Sequence, residues 1–254
     1  MNIFNRKIKQ SITILSAIII LGGCAAAQVA ISKKDLDVQT RTSTAVFVDP
    51  VEKEQRTIYL DVKSGVMEFD RRDFKKFVKQ QFSEFNDNGY RVVDDPKAAQ
   101  FQMVLYVLNL EKASPTAAEA ALGKGYSAGA VATGAAVGAI GNSSNRYQGA
   151  AAGGIIAGAA DFILGSSVKD ITYMLVVDVQ IKEKAAKGVL VRKDSQTDSK
   201  ISDAGTSRQT YSEVSDRKEY RTRIVTTANK VNLKLEEATP LMFKKTAYAM
   251  AGFF

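Results

Sequence analysis

The sequence contains no histidine and one cysteine, Cys24. Without histidine there is no Ser-His-Asp triad, no Cys-His nucleophile pair and no His-bearing zinc site. With one cysteine there is no disulfide within the chain. Nucleotide-binding signatures are also missing. Gly123-Lys124-Gly125 lacks the GxxxxGK[ST] frame of a phosphate-binding loop, and Gly149 to Gly154 lies in an alanine run with no strand before it. Paired acids do occur, at Asp94-Asp95 and Glu236-Glu237. In polar surroundings such pairs read as solvated turn or helix-end residues, and Asp94-Asp95-Pro96 has the chemistry of a turn. The sequence therefore offers no catalytic residue and no metal site, and it predicts a protein that is not an enzyme.

Acid is absent from the first part of the chain, which carries Arg6, Lys7 and Lys9. An apolar run from Ile12 to Leu21 follows, too short to span a bilayer as a helix. Cationic flank, short apolar run and small residues make a secretory signal. Its end, Leu21-Gly22-Gly23-Cys24, is the pattern of a bacterial lipobox. It predicts an S-diacylglyceryl and N-acyl lipid on Cys24 as the only attached group, with no cofactor. More than one acyl chain, at about 0.8 kcal/mol per buried CH₂, gives a stable anchor. Ala25 follows Cys24 where an Asp would signal inner-membrane retention, so the expected destination is the outer membrane. Removal of residues 1–23 takes away three cations and no acids, and the net charge falls from +8 to +5. A mild positive charge is consistent with a solvated surface or with attraction to anionic lipid.

Glycine is concentrated in one place: 11 of the 18 glycines lie between Ala121 and Gly165. Two uncharged arms, Gly125 to Ile140 and Gly149 to Ala160, flank a polar break. Glycines recur at a spacing of four, as Gly125 and Gly129, Gly134 and Gly138, Gly149 and Gly153, and Gly154 and Gly158. This places hydrogen-only positions on one helix face, where two backbones can approach closely. The pattern predicts a helical hairpin for packing and assembly. Each arm is about 24 Å long or less at 1.5 Å per residue, short for a bilayer but within reach of the thinner outer membrane. Asp161 suits the interfacial end of the second arm, and Tyr126, Tyr147 and Phe162 lie near the arm ends, where Tyr in particular is a usual interfacial residue. The polar tip, Asn142, Ser143, Ser144, Asn145, Arg146, Tyr147 and Gln148, is the part able to make directional contacts with a partner.

Around this segment the pattern predicts strands at Thr44–Val48, Thr57–Val62, Tyr90–Val93, Phe101–Leu110, Ile171–Glu183 and Glu219–Thr227. Phe101–Leu110 is apolar on both faces and should be central. Asp178, Gln180 and Lys182 alternate with Val177, Val179 and Ile181 and read as a wet face. Arg221 and Arg223 likewise read as solvated, with no nucleic-acid partner. An amphipathic helix from Asp70 to Asn86 carries Phe74, Phe77, Val78, Phe82 and Phe85, with Asp70 as N-cap and Gly89 as stop. Pro96–Ala99 reads as a turn or short helix. Thr239-Pro240 reads as the start of a final helix, Pro240 to Ala251. Residues 184–216 are polar and read as a loop or exposed hairpin, with Gly188–Arg192 as a short strand. The expected fold is α+β: a mixed or antiparallel sheet with two packed helices, interrupted by the Gly/Ala-rich hairpin. The expected organisation is a signal (1–23), a lipid-anchored linker (24–43), one α+β domain (44–115 and 168–254) and the insertion (116–167).

Several blocks together resemble the TraT family, plasmid-encoded surface-exclusion and complement-resistance lipoproteins of enteric bacteria. They are the lipobox, ISKKDLDVQT (31–40), GYRVVDDPKAA (89–99), GYSAGAVATGAAVGA (125–139), VKDITYMLVVDVQI (168–181) and YRTRIVTTANKVNLKLEEATP (220–240). Residues 53–82 and 185–216 and the C-terminal KKTAYAMAGFF are less similar. The resemblance implies a surface-exposed, oligomeric outer-membrane lipoprotein that reduces mating contact with donors carrying a related plasmid. It also implies resistance to complement, and a donor-cell surface or pilus component as partner. A ring-shaped outer-membrane pore or export component is the alternative that the two arms leave open.

Overall fold

The computed structural model describes residues 31–67, 69–84, 89–125, 169–202 and 205–254. Among them lie eight strands and three α-helices. The strands are β1 (Asp37–Thr42), β2 (Thr57–Ser64), β3 (Arg91–Val93), β4 (Phe101–Lys112), β5 (Asp170–Lys184), β6 (Val191–Ser202), β7 (Gly205–Ser215) and β8 (Arg217–Val231). The helices are α1 (Arg71–Glu84), α2 (Pro115–Lys124) and α3 (Leu235–Ala251). The fold is α+β with a mixed sheet.

Six strands form one sheet in the order β1-β8-β5-β4-β2-β3. β4, β5, β8 and β1 pair antiparallel in turn, whereas β2 lies parallel to both β3 and β4. β5 and β8 pair along their full lengths, from Asp170 opposite Val231 to Lys184 opposite Arg217. A bulge between Val107 and Asn109 interrupts the β4–β5 register. Asn109 Oδ1 accepts the Glu111 backbone N–H there, at 3.0 Å.

One sheet face is covered by α1 and α3. Burial follows the period of α1: Phe74, Val78 and Phe82 are buried, while Arg71, Arg72 and Lys76 are exposed. Asp70 caps the helix as expected, accepting the N–H groups of Arg72 and Asp73 at 2.9 and 3.0 Å. Gly89 has φ 63°, a left-handed conformation that favours glycine. Phe74 and Phe243 meet edge-on at 4.8 Å between α1 and α3, with Phe69 against both. Burying each such side chain contributes about 1.5–3 kcal/mol. At the chain's C-terminal end the Phe254 ring packs against Phe82, Tyr90 and Phe101 at 5.5, 5.2 and 5.1 Å.

Three expectations change. Thr44–Val48 is not a strand; the edge strand is β1, Asp37–Thr42, inside the stretch read as linker. Its sequence DVQTRT has little apolar alternation because it lies at the sheet edge, and hydrogen bonds to β8 rather than burial define it. The last helix starts at Leu235, not Pro240. Pro240 removes one helix N–H donor and Thr239 Oγ1 donates to Leu235 O at 2.7 Å, so the pair sits within the helix instead of opening it. The polar segment forms the exposed hairpin, of β6 and β7, which is one of the two forms its sequence allows. Gly188–Arg192 is not a separate short strand: residues 187–188 form a turn and β6 begins at Val191. The hairpin continues outward from the paired ends of β5 and β8, with Ala185 N–H bonded to Asp216 O at 2.8 Å across its base. Neighbouring register therefore sets it, not a hydrophobic pattern of its own. Lys193 of β6 donates to Glu219 of β8 and ties the hairpin to the sheet, and Gln180 of β5 donates to the same carboxylate.

Candidate functional site at the root of the inserted segment

The glycine-rich segment leaves the sheet after β4 and returns at β5, two strands that are neighbours. Lys112 lies opposite Tyr173, and Ala113 N–H bonds to Thr172 O at 2.9 Å. Both ends of the segment are thus fixed beside each other. α2 forms the outgoing end, with Pro115 in its first turn, where a missing N–H costs nothing. Its small residues Ala117 and Ala121 pack against Leu108, Met174, Val176 and Val225 on the sheet face opposite α1 and α3. Gly125 closes the helix at φ 60°, and its N–H bonds to Leu122 O at 3.0 Å. A left-handed residue there requires glycine on conformational grounds.

Beneath α2 lies a buried ion pair. Arg223 on β8 and Asp178 on β5 stand directly opposite each other. Arg223 Nε and Nη2 donate to the two Asp178 carboxylate oxygens at 2.6 and 3.0 Å. Their side chains are 1% and 0% exposed. Arg223 Nη1 donates in addition to Ala121 O at 3.3 Å, one turn from the end of α2. Its positive charge there complements the negative pole of that helix. This corrects the reading of Arg223 as solvated and of Asp178 as part of a wet face. Opposite charges in register on neighbouring strands were the available signal, but the β5–β8 register cannot be read from either strand alone. Arg221 does fit the solvated reading, partly exposed and paired with Glu219.

The returning end is held as firmly. Asp170 accepts from Lys33 Nζ and, at 2.7 Å, from Asn229 Nδ2, which also donates to Thr172 Oγ1 at 2.8 Å. Asn232, at φ 52°, donates its N–H to Lys169 O at 2.8 Å and accepts Lys169 N–H on Oδ1 at 3.0 Å. Between α2, β1 and β8 runs a groove of about 230 Å³ with Val225 and Leu122 on its floor and Lys33, Arg41, Glu119 and Asn229 at its rim. Arg41 pairs with Glu119 and Lys33 with Asp170, so the rim charges are matched. Among the described residues no group of His, Cys, Asp and Glu could hold a metal ion. No described helix is long and apolar enough to cross a membrane.

A second charged cluster lies at the far end of β5 and β8. Glu183 is 3% exposed and accepts Tyr220 Oη–H at 2.9 Å. Burial, then the hydrogen bond to this carboxylate, pushes the Tyr220 phenol up to about 12. Burial also pushes the Glu219 carboxyl up, but hydrogen bonds from Lys193 and Gln180 and the Arg221 charge outweigh it, and its pKa is lowered.

Of the residues expected to carry function, Gly125 is the one described, as the residue that ends α2. Leu21, Gly22, Gly23 and Cys24, the glycines at 129, 134, 138, 149, 153, 154 and 158, and the tip 142–148 lie outside the described residues, as does Phe85.

Fold and root together define a class: an α+β domain whose sheet carries a long glycine-rich insertion between two central strands, mounted by a buried ion pair. The family described as Enterobacterial TraT complement resistance protein matches residues 35–254. A TraT complement resistance protein of Escherichia coli is 33% identical over 250 residues, covering 98% of each chain. A second, from Escherichia coli strain K12, is 29% identical over 241 residues, covering 95% of this chain and 96% of its own. The chain belongs to the TraT family. Among solved structures, a PelC dodecamer from Paraburkholderia phytofirmans aligns over 84% of this chain and 96% of its own, at 6% identity and a TM-score of 0.32. That likeness is too low to carry an argument.

Proposed function

We propose that the chain is a non-enzymatic, lipid-anchored protein of the outer-membrane surface. It contributes to complement resistance and lowers stable mating contact with donors that carry a related plasmid. The observation that carries this is its match to TraT complement resistance proteins over nearly its whole length. The lipobox ending in Cys24 supports the anchor, and the missing histidine supports a role in contact rather than chemistry. In this reading the chain assembles with copies of itself through the glycine-spaced arms. The tip at 142–148 faces the partner, a donor-cell surface or pilus component. The root described above fixes the points at which the insertion leaves and rejoins the sheet.

The test is expression in a serum-sensitive recipient strain. Survival in serum, mating frequency with a matched donor and palmitate incorporation are measured for the intact chain, for Cys24→Ala and for a chain lacking residues 116–167. The intact chain should raise survival, lower mating frequency and take up palmitate at Cys24. Both variants should lose protection, and exclusion retained without residues 116–167 would reject the role given to the insertion.

A further inference from the structure

We propose that the outer surface of the α1–α3 layer is a docking face for an anionic lipid bilayer. Five cations, Arg71, Arg72, Lys75, Lys76 and Lys79, fall within nine residues of α1; Arg71, Arg72 and Lys76 are exposed, and Lys75 and Lys79 are half-buried at the flank of the buried Phe74, Val78 and Phe82. α3 lies beside α1, joined through Phe74 and Phe243, and adds the exposed pair Lys244 and Lys245. Among the described residues only Lys79 of these seven forms an ion pair, with Asp94 at 3.9 Å. The acids of the layer offset part of this charge: Asp70 caps α1 and lies in the field of Arg72 and Lys76, Glu237 pairs with Lys230, and with Asp73, Glu84 and Glu236 they make five acids against seven cations.

Charge alone would suit any polyanion. Two exposed side chains select a bilayer. Met67, just before α1, is 99% exposed, and Tyr248 on α3 is 58% exposed. An apolar side chain and an amphipathic ring beside a cationic surface match the headgroup boundary, where tyrosine is enriched and cations meet lipid phosphate. The reach also fits. Residues 24–30, which precede the part of the chain seated on the domain, span at most about 25 Å when extended, comparable with a six-stranded sheet about 24 Å wide at 4.8 Å per gap. A chain held at Cys24 can therefore lay this layer on the bilayer although β1 lies at the opposite sheet edge from β3. Only this reach rests on the anchoring proposed above.

The test is lysine acetylation read by mass spectrometry on the full chain. It is carried out with vesicles of phosphatidylcholine, with vesicles containing about a third phosphatidylglycerol, and in detergent. Lys76, Lys244 and Lys245 should be modified several-fold more slowly on the anionic vesicles. Lys184 and Lys187, exposed at the other end of β5, should not change. Arg71→Gln/Arg72→Gln should restore the reactivity, since each cation near an anionic surface changes binding roughly five-fold. High salt should do the same. Equal rates on both vesicles, or equal protection of Lys184 and Lys187, would overturn the proposal. So would protection already present in detergent, which would mean a second copy covers the face, or equal protection by duplex DNA. The lipid on Cys24 is read as added mass in the same spectra. Loss of the anchor and loss of docking are therefore separate observations, and an unanchored chain still protected by anionic vesicles supports the face.

Discussion

Replacing Asp178 by Asn keeps the shape of the side chain and removes its charge, leaving the Arg223 guanidinium buried without a counter-ion. Both side chains are at most 1% exposed, and two hydrogen bonds of 2.6 and 3.0 Å join them, so water cannot take over the lost role. Removing one partner of such a pair costs about 3–5 kcal/mol. In a domain of this size each kcal/mol lowers Tm by about 2–4 °C, which predicts a fall of roughly 6–20 °C. The measurement is thermal unfolding of the purified chain, followed by circular dichroism at low and high salt. Salt should leave the difference nearly unchanged, because a buried pair is little screened. The double substitution Asp178→Leu/Arg223→Met removes both charges and should recover most of the loss. A fall of less than about 3 °C for Asp178→Asn would refute the reasoning. So would a double variant as unstable as the sum of the two single ones, since the cost assigned here is that of an unpaired buried charge.

Glu219→Gln should release the β6–β7 hairpin from the sheet, seen as faster proteolysis between residues 191 and 215 with little change in the rest of the chain. Because the Glu219 pKa is lowered in the folded state, its contribution is present above the ordinary carboxylate range and is lost as pH falls through the folded value. Acid should therefore loosen the hairpin of the native chain, and Glu219→Gln should show less of this response. Tyr220 has the opposite sign: its raised pKa stabilises fully below about pH 10 and that contribution disappears as pH rises towards about 12. Alkaline unfolding followed by phenolate absorbance should show a late-titrating tyrosine, absent in Tyr220→Phe. Asp70→Ala should cost about 0.5–2 kcal/mol by loss of the α1 cap, measured by urea unfolding.

Much of the sheet was legible because its central strands bury apolar residues in a period of two. β2, β4, β5 and β8 are found where alternation predicts them, and α1 where the phenylalanine spacing predicts it. What was missed shares a physical cause. β1, and the pairing that decides hairpin over loop for residues 184–216, are set by hydrogen bonds to neighbours already in place, so their sequences need not alternate. Asp178 and Arg223 look like surface residues because each is charged, and only the pairing of β5 with β8 brings them together under α2. Thr239-Pro240 has the chemistry of a helix start, yet the helix begins earlier because Leu235 and Ala238 already pack on the core.

The buried pair has a cost that core packing alone would avoid, since an apolar pair of similar volume would often be as stable. Its geometry suggests what the charge provides. A leucine at position 223 could fill the space but could not donate to Ala121 O, and the end of α2 would keep only its alanine and Leu122 packing and the exposed Glu119–Arg41 pair. Arginine fixes that helix in both position and rotation, through one directed hydrogen bond and the helix dipole. Asn229 and Asn232, the residues that hold the returning end, lie on or just after the same strand, β8. One strand thus grips both ends of the insertion, and it is joined to the other central strand, β5, along its full length. Among the described residues Arg223 is the only fully buried arginine, and it stands where the insertion leaves the sheet.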